Sequence, residues 1–385
     1  MDLAPPPAAI LLTGATGFLG AHVCAELLIR YPSARIFCLI RADGAERAGK
    51  RLARNFKRLR LGDERSMGRL VPVPGDLSKP RLGLSEVDYG ELAERVEAIY
   101  HCAANLSLVA SYEALIPANV TGTQEIIRLA RQGSPKHLHH VSSLGVFLAG
   151  RRQGLTRVDE ATLPAIEDAG PVGYAMSKVA GELAVHDAAP ALPVTIYRPG
   201  LIFGQSRTGI STNDDMIAQI LRVGARVGCL PDSTAPLHTG CVDDVARWIV
   251  ALAAANAPGR VFHPATSGEP TFAEMVGHFR ALGHRMEPVP IRSWWREVEE
   301  RERNAASLTV RLARTAIDLV LGDPDPAWPH IESTTTATAL RRLGHDRRAP
   351  GASYFHALSS HLVALGKLPA PGARPVLATT KGRSA

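Results

Sequence analysis

Short apolar runs alternate along this chain with longer stretches whose apolar residues recur at helical spacing. The runs at 8–12, 35–40, 70–73 and 98–102 are short enough to be strands, the first reading as a buried one, and the histidine-rich stretch 137–141 reads as a further strand. Between them, residues 21–30 and the segment opened by Asn119-Val120-Thr121-Gly122-Thr123, with Ile126, Ile127 and Leu129, carry the helical repeat. An interruption at 205–236 holds a helix-like segment at 216–227. The repeat returns at 245–255, and from Thr271 the chain reads as mainly helical. This alternation predicts an α/β fold, a doubly wound parallel sheet, with a smaller and mainly helical C-terminal substrate domain. The expected boundaries are 8–205 with 238–264 for the sheet domain and 206–237 with 265–370 for the second domain. Residues 1–7 and 371–385, rich in proline or in Pro, Gly, Lys and Arg, are expected to be flexible tails.

The junction of the first strand and helix reads Thr13-Gly14-Ala15-Thr16-Gly17-Phe18-Leu19-Gly20. Gly14 permits a tight turn, Gly17 lets the backbone approach a pyrophosphate, and Gly20 lets the helix pack close to the strand. The N–H groups at the helix start then face the phosphates, which makes the sheet Rossmann-type. Thr13, Gly14, Thr16, Gly17, Phe18, Leu19 and Gly20 are therefore candidate cofactor residues. The second strand ends at Arg41, where an acidic residue would bind ribose hydroxyls. A guanidinium there suits a 2′-phosphate, so NADPH is expected over NADH, with Asp43 two residues on as the competing signal. Arg51 is a candidate second phosphate contact in a basic stretch, 44–69, otherwise expected to be a solvated helix face. Asp76 and Leu77 follow the third strand, where a carboxylate can accept from the adenine amino group. Ala103 and Ala104 follow the fourth, where small residues let backbone pass close to the cofactor.

Composition narrows the setting. Of 385 residues, 45% are hydrophobic and 21% charged, the balance of a soluble globular protein. No apolar run approaches the roughly 18 residues of a membrane span, and the N-terminus lacks a signal-peptide pattern, so a cytoplasmic protein is expected. Cys24, Cys38, Cys102, Cys229 and Cys241 are scattered without metal-type spacing and are expected as buried thiols. The net charge of +7 comes with no nucleic-acid motif, which leaves an anionic cofactor and an acidic protein partner. Arg341, Arg342, Arg347 and Arg348 form a basic cluster suited to such a partner, although a solvated helix end is the simpler expectation. A monomer is expected.

The candidate chemistry lies in Tyr174-Ala175-Met176-Ser177-Lys178 together with Ser143. On a helix Tyr174 and Lys178 share a face one turn apart, and an ammonium beside a phenol lowers its pKa. The Ser143 hydroxyl, at a strand end, is placed to hold a substrate oxygen. His137, His139 and His140 invite a metal, but neighbours on a strand point to opposite faces, so His139 and His140 cannot chelate one ion. His101 has no partner histidine at suitable spacing. No metal site is expected.

These motifs, with Tyr197-Arg198-Pro199-Gly200, resemble the extended short-chain dehydrogenase/reductases. Within that group the chain is similar to the terminal thioester reductase (R) domains of nonribosomal peptide and polyketide synthases and of carboxylic acid reductases. That narrower likeness rests on the glycine loop, on Cys38-Leu39-Ile40-Arg41-Ala42 and on Gly75-Asp76-Leu77-Ser78-Lys79-Pro80-Arg81-Leu82-Gly83-Leu84. It continues through Tyr100-His101-Cys102-Ala103-Ala104 and Asn119-Val120-Thr121-Gly122-Thr123. Many relatives have threonine at the position of Ser143, and Met176 and Val179 replace commoner Gln and Trp. The resemblance implies an NADPH-dependent reduction of an acyl or peptidyl thioester, held on a carrier protein's phosphopantetheine, to an aldehyde, with further reduction to the alcohol left open. Ser143 and Tyr174 would stabilise the oxyanion, Tyr174 donate the proton, and Lys178 bind the nicotinamide ribose; Asn119 and Pro199 join the cofactor set. A fatty acyl-CoA reductase, a nucleotide-sugar epimerase or dehydratase, and a non-catalytic NADP-sensing regulator remain as alternatives.

Overall fold

The computed structural model of the protein describes residues 6–212, 216–255, 258–268, 270–301 and 328–373. Its main sheet has seven strands: β1 (Ala9–Thr13), β2 (Arg35–Ile40), β3 (Leu70–Pro74), β4 (Ala98–His101), β5 (His137–Val141), β6 (Val194–Tyr197) and β7 (Arg260–Phe262). All pairings are parallel, in the order β7-β6-β5-β4-β1-β2-β3. The apolar runs explain the topology: parallel strands covered on both faces bury most of their side chains, and Ile10, Leu11, Leu12, Ile36 and Ile99 are at most 2% exposed. Strand order reverses between β1 and β4, which opens a crevice beyond their carboxyl ends.

Among the described residues, six helices cover the sheet: α1 (Phe18–Arg30), α2 (Ala45–Leu59), α3 (Glu86–Arg95), α4 (Gly122–Arg131), α5 (Gly173–Ala188) and α6 (Val242–Ala254). Helix α1 starts three residues before the apolar periodicity, because Gly17 is its extended N-cap and the helix begins as soon as the loop ends. The predicted start of the next helix at Asn119 is a π-helical turn, Ile116–Thr121, running into α4.

The chain divides into two compact units. The first takes residues up to Ile202, Gly240–Ser267 and Trp328–Arg347; the second takes the described parts of Phe203–Thr239, Gly268–Ala327 and Arg348–Ala385. Residues 328–347 thus lie with the nucleotide-type unit, whereas the apolar pattern groups them with the second. Specific bonds hold them there. His330–Ile331 pairs with Arg157–Val158, and the N–H and hydroxyl of Thr336 both donate to buried Glu160. The second unit is mainly helical (Met216–Val227, Phe272–Ala281, Ile291–Arg301, Ala352–Ala364), and its described residues include a small sheet, Cys229–Pro231 paired with Glu287–Val289. Its core includes Trp294, whose Nε1 donates to Cys229 O at 2.9 Å, and Phe355 against Phe279. The predicted Glu297–Arg301 pair forms at 2.7 Å; Arg303, the predicted partner of Glu299, lies outside the described residues.

Candidate active site

The glycine loop has the shape its sequence requires. Gly14 has φ +84°, and a Cβ there would lie 2.9 Å from the Ala103 nitrogen, so β1 and the segment after β4 touch backbone to backbone. A Cβ at Gly20 would sit 2.2 Å from the Gly14 carbonyl oxygen, so α1 can start against the loop only with glycine there. The Gly17 N–H donates to Gly14 O at 2.8 Å. No side chain caps α1 and no acidic residue stands in its first turn, leaving its N-terminal field open to an anion. Thr16, Phe18 and Leu19 are partly exposed around this opening.

Buried residues fix the loop from behind. Asn55 of α2 donates to Gly17 O at 3.1 Å and weakly to Ala15 O at 3.4 Å, turning those carbonyls away from the mouth. The Thr123 hydroxyl donates to Asn119 O (2.7 Å), so its oxygen accepts from His101 Nε2–H (3.1 Å). Nδ1 of His101 then accepts from the Thr13 hydroxyl (2.8 Å), whose oxygen accepts from Ala103 N–H (3.1 Å). This proton order needs a neutral imidazole, and burial, reinforced by the Lys178 charge, pushes His101 down to about 3.

At the end of β2, Arg41 is exposed and its side chain makes no hydrogen bond or salt bridge among the described residues. Arg51 of α2 donates to the Arg41 carbonyl, which brings the two guanidinium-bearing residues together. Asp43, the competing acidic signal, pairs instead with Arg47 at 2.6 Å. Asp76 accepts from the N–H and hydroxyl of Ser78 at 3.0 and 2.7 Å. Burial works against its charge, yet these bonds and Arg41 hold the carboxyl below its ordinary value. Leu77 lies against Gly122 at the start of α4 and packs on the core. The loop after it carries Arg81 and Leu82 at φ 51° and 59°, an uncommon left-handed conformation for such residues. Buried Glu125 secures it by accepting from Arg81 N–H at 2.8 Å, a role no local sequence signal announced.

Ser143 follows β5, and its hydroxyl accepts from Gly145 N–H at 3.0 Å. Pro199, after β6, accepts from Leu144 N–H at 2.9 Å and so ties that segment down. Tyr174 stands in the first turn of α5 with Lys178 one turn on. Burial pushes the Tyr174 phenol up to about 12, with the Ser143 hydroxyl acting in the opposite direction. This corrects the expectation that Lys178 sets the phenol's pKa: Lys178 Nζ donates to the Val141 carbonyl at 2.8 Å. Burial brings Lys178 itself down to about 8, opposed by Glu182 and Cys102.

Asn119 is 4% exposed. Its amide donates to Asn105 O (3.0 Å) and Ser177 Oγ (2.9 Å) and accepts from Asn105 N–H (2.7 Å). The Asn119 side chain thus ties α5 to the 103–105 segment, Ala103 and Ala104 included.

Sequence reasoning missed the ion pair behind Lys178. Glu182 accepts from Arg198 Nε and Nη2 at 2.9 and 2.6 Å with both side chains fully buried, and Arg198 lies over the Phe147 ring at 5.0 Å. The signal was present, since Glu182 continues the four-residue spacing of Tyr174 and Lys178. The basic cluster is corrected at Arg347: it is 7% exposed and donates to Ala265 O, Thr266 O and Ser333, so it is an internal brace. His139 and His140 point to opposite faces, His139 stacking on Tyr100 and His140 lying beside His101.

Open loop N–H groups, a free cationic end to β2, and a Ser143, Tyr174, Lys178 set at the strand ends fit a nicotinamide dinucleotide. Fold and site define an extended short-chain dehydrogenase/reductase, an NAD(P)(H)-dependent oxidoreductase. The pattern of the male sterility protein family, an NAD-binding domain family, matches residues 12–249, and the chain belongs to that family. A linear gramicidin synthase polypeptide of Brevibacillus parabrevis is 36% identical over 294 residues, 76% of this chain and 6% of that protein. The L-2-aminoadipate reductase large subunit of Penicillium chrysogenum is 31% identical over 407 residues, 95% of this chain and 28% of that protein. The chain therefore spans a minor part of these relatives. The crystal structure of the terminal R domain from the myxalamid PKS-NRPS biosynthetic pathway superposes with a TM-score of 0.88 at 34% identity, covering 96% of this chain and 93% of that one.

Proposed function

We propose that the chain reduces an acyl or peptidyl thioester, presented on the phosphopantetheine of a carrier protein, to an aldehyde with NADPH as reductant. The observation that carries this reading is the placement of Ser143 and Tyr174 at the carboxyl end of the sheet, with Lys178 behind them and the glycine loop on the same side. Arg41 and Arg51 favour the 2′-phosphate of NADPH. The loop N–H groups, with Asn55 holding their backbone, would bind the pyrophosphate, and Lys178 the nicotinamide ribose. When bound, NADPH supplies the hydride that adds to the thioester carbonyl carbon.

Ser143 Oγ and the Tyr174 hydroxyl hold the carbonyl oxygen as charge develops on it, a contribution of roughly 10²–10³ in rate per donor in comparable sites. Tyr174, kept protonated by its high pKa, gives its proton to that oxygen. The resulting hemithioacetal loses its hydroxyl proton to the departing sulfur, the C–S bond breaks, and aldehyde and thiol leave.

The test is NADPH oxidation with an acyl-carrier protein and with the matching acyl-CoA, the product being identified by mass. Tyr174→Phe is expected to retain NADPH binding and lose turnover by roughly 10²-fold or more. Near-normal turnover would refute the assignment, and preference for acyl-CoA over the carrier-bound thioester would replace the substrate class.

A further inference from the structure

The loop from Gly75 to Leu84 returns onto Asp76. The Asp76 N–H donates to Leu82 O at 2.6 Å, and Asp76 O accepts from Lys79 N–H at 3.1 Å. Arg81, Leu82 and Gly83 follow one another at φ 51°, 59° and 73°, a left-handed run in which the last residue alone is a glycine. A Cβ is costly in that conformation, so such a run persists only where its surroundings hold it. Leu82 anchors one side, its side chain fully buried in the core beneath the sheet. A Cβ at Gly75 would lie 2.7 Å from Leu82 O, so glycine there permits the close return.

The other side is held from α4. Gly122 and Glu125, three apart on that helix, share a face. A Cβ at Gly122 would lie 3.1 Å from Leu77 Cβ, and buried Glu125 accepts from Arg81 N–H at 2.8 Å through Oε2. Its Oε1 pairs with Arg128, one turn along the same helix. One oxygen of Glu125 is thus tied within α4, and the other holds the backbone of the left-handed run. Asp76 is what that run lies against. Its Oδ1 accepts from the Ser78 N–H and hydroxyl, whereas its Oδ2 makes no hydrogen bond among the described residues.

We propose that Glu125 is a positioning residue for adenine recognition. By holding Arg81 in its left-handed conformation it fixes Leu82 O, and through that carbonyl the backbone of Asp76, whose open carboxylate oxygen accepts from the adenine amino group. The proposal rests on the reading of this end of the sheet as the adenosine side of an NADPH site. It assigns the choice of adenine over hypoxanthine to a side chain acting through backbone. Hypoxanthine carries an oxygen in place of the amino group, and an ionised carboxylate, which only accepts, can bond to the amino group but not to that oxygen. The 2′-phosphate plays no part in this choice, since the adenine and hypoxanthine forms of the cofactor both carry it.

The experiment titrates the whole chain with NADPH and with reduced nicotinamide hypoxanthine dinucleotide phosphate, following fluorescence. The proteins are wild type, Glu125→Met, Glu125→Gln, Asp76→Ala and the Asp76→Ala, Glu125→Met double variant. Methionine fills the space of Glu125 without an acceptor oxygen; glutamine keeps one for Arg81 N–H. Wild type should bind NADPH about tenfold more tightly than the hypoxanthine cofactor, the order expected of a hydrogen bond to a charged group. In Glu125→Met that ratio should fall to about twofold or less through weaker NADPH binding alone, and Glu125→Gln should keep it near the wild-type value. Adding Glu125→Met to Asp76→Ala should change neither constant further, because the two residues act through one contact. Equal weakening of both cofactors in Glu125→Met, additive losses in the double variant, or a wild type with no preference for adenine overturns the proposal. Should Glu125→Met fail to fold, Glu125→Asp, one methylene too short to reach Arg81 N–H, replaces it with the same expectation. A wild type inactive on every thioester refutes the reductase reading instead, and the two constants, read without substrate, still decide the role of Glu125.

Discussion

Replacing Arg41 by alanine should separate the two nicotinamide cofactors. Its guanidinium is exposed, makes no ion pair among the described residues, and stands beside Arg51, which is anchored on the Arg41 carbonyl. A hydrogen bond to a charged group is worth roughly 1.5–3 kcal/mol, and solvent screening at this exposed site places Arg41 at or below the lower end. About 1.4 kcal/mol is tenfold in affinity, so the NADPH Kd should rise by about that factor while NADH is unaffected, having no phosphate to lose. Arg41 also helps to lower the Asp76 carboxyl, but that contact acts equally on both cofactors. Because Arg51 donates to a backbone carbonyl, which alanine retains, the second guanidinium should stay in place and leave a residual preference for NADPH. Nucleotide titration by protein fluorescence, at low and high salt, gives both constants. Equal weakening for NADH and NADPH, or no weakening at all, would refute the reading of β2 as the phosphate-selecting end.

Gly20→Ala places a Cβ 2.2 Å from the Gly14 carbonyl, so the loop or the start of α1 must shift; dinucleotide affinity should fall for NADPH and NADH alike, and unchanged binding would show that the cradle is not used. Acid should destabilise the first unit before its carboxylates protonate. His101 and His263 are held near 3, each chiefly by burial, against about 6.5 when unfolded. Between those values the unfolded chain binds protons that the fold refuses, so stability falls as pH drops, by about 1.4 kcal/mol per pH unit for each histidine. Denaturant unfolding at pH 7 and pH 5 checks this, and a flat response would contradict the buried neutral rings.

The first four strands of the sheet were legible because each is a short, largely apolar run, whereas Val194–Tyr197 and Arg260–Phe262 carry too short a pattern to stand out; the glycine loop was legible because three glycines sit between a strand and a helix. Arg41 and the Ser143, Tyr174, Lys178 set were legible from their places at strand ends and on one helix. What stayed hidden depends on partners distant in sequence. Asn55 reaches the loop across 38 residues, Glu125 reaches Arg81 across 44, and Thr336 meets Glu160 across 176. Arg347 was visible as a residue type but misread in role, since burial and internal hydrogen bonding are properties of the fold and not of spacing. The perturbed pKa of Tyr174 was misjudged for the same reason: desolvation outweighs any nearby charge.

The return of Trp328–Arg347 to the first unit bears on how the chain is made. At roughly 5–20 residues per second, the ribosome needs on the order of ten seconds or more to travel from Ile202 to Arg347. During that interval β6 has β5 on one side but lacks its outer neighbour until Arg260–Phe262 emerges, and Glu160 and His263 await Thr336, which bonds to both. A nascent chain halted before Ser333 therefore presents an unfinished sheet domain with buried groups still unpaired. Protease resistance of the glycine-loop domain should appear in ribosome-bound chains only after that last segment has cleared the exit tunnel.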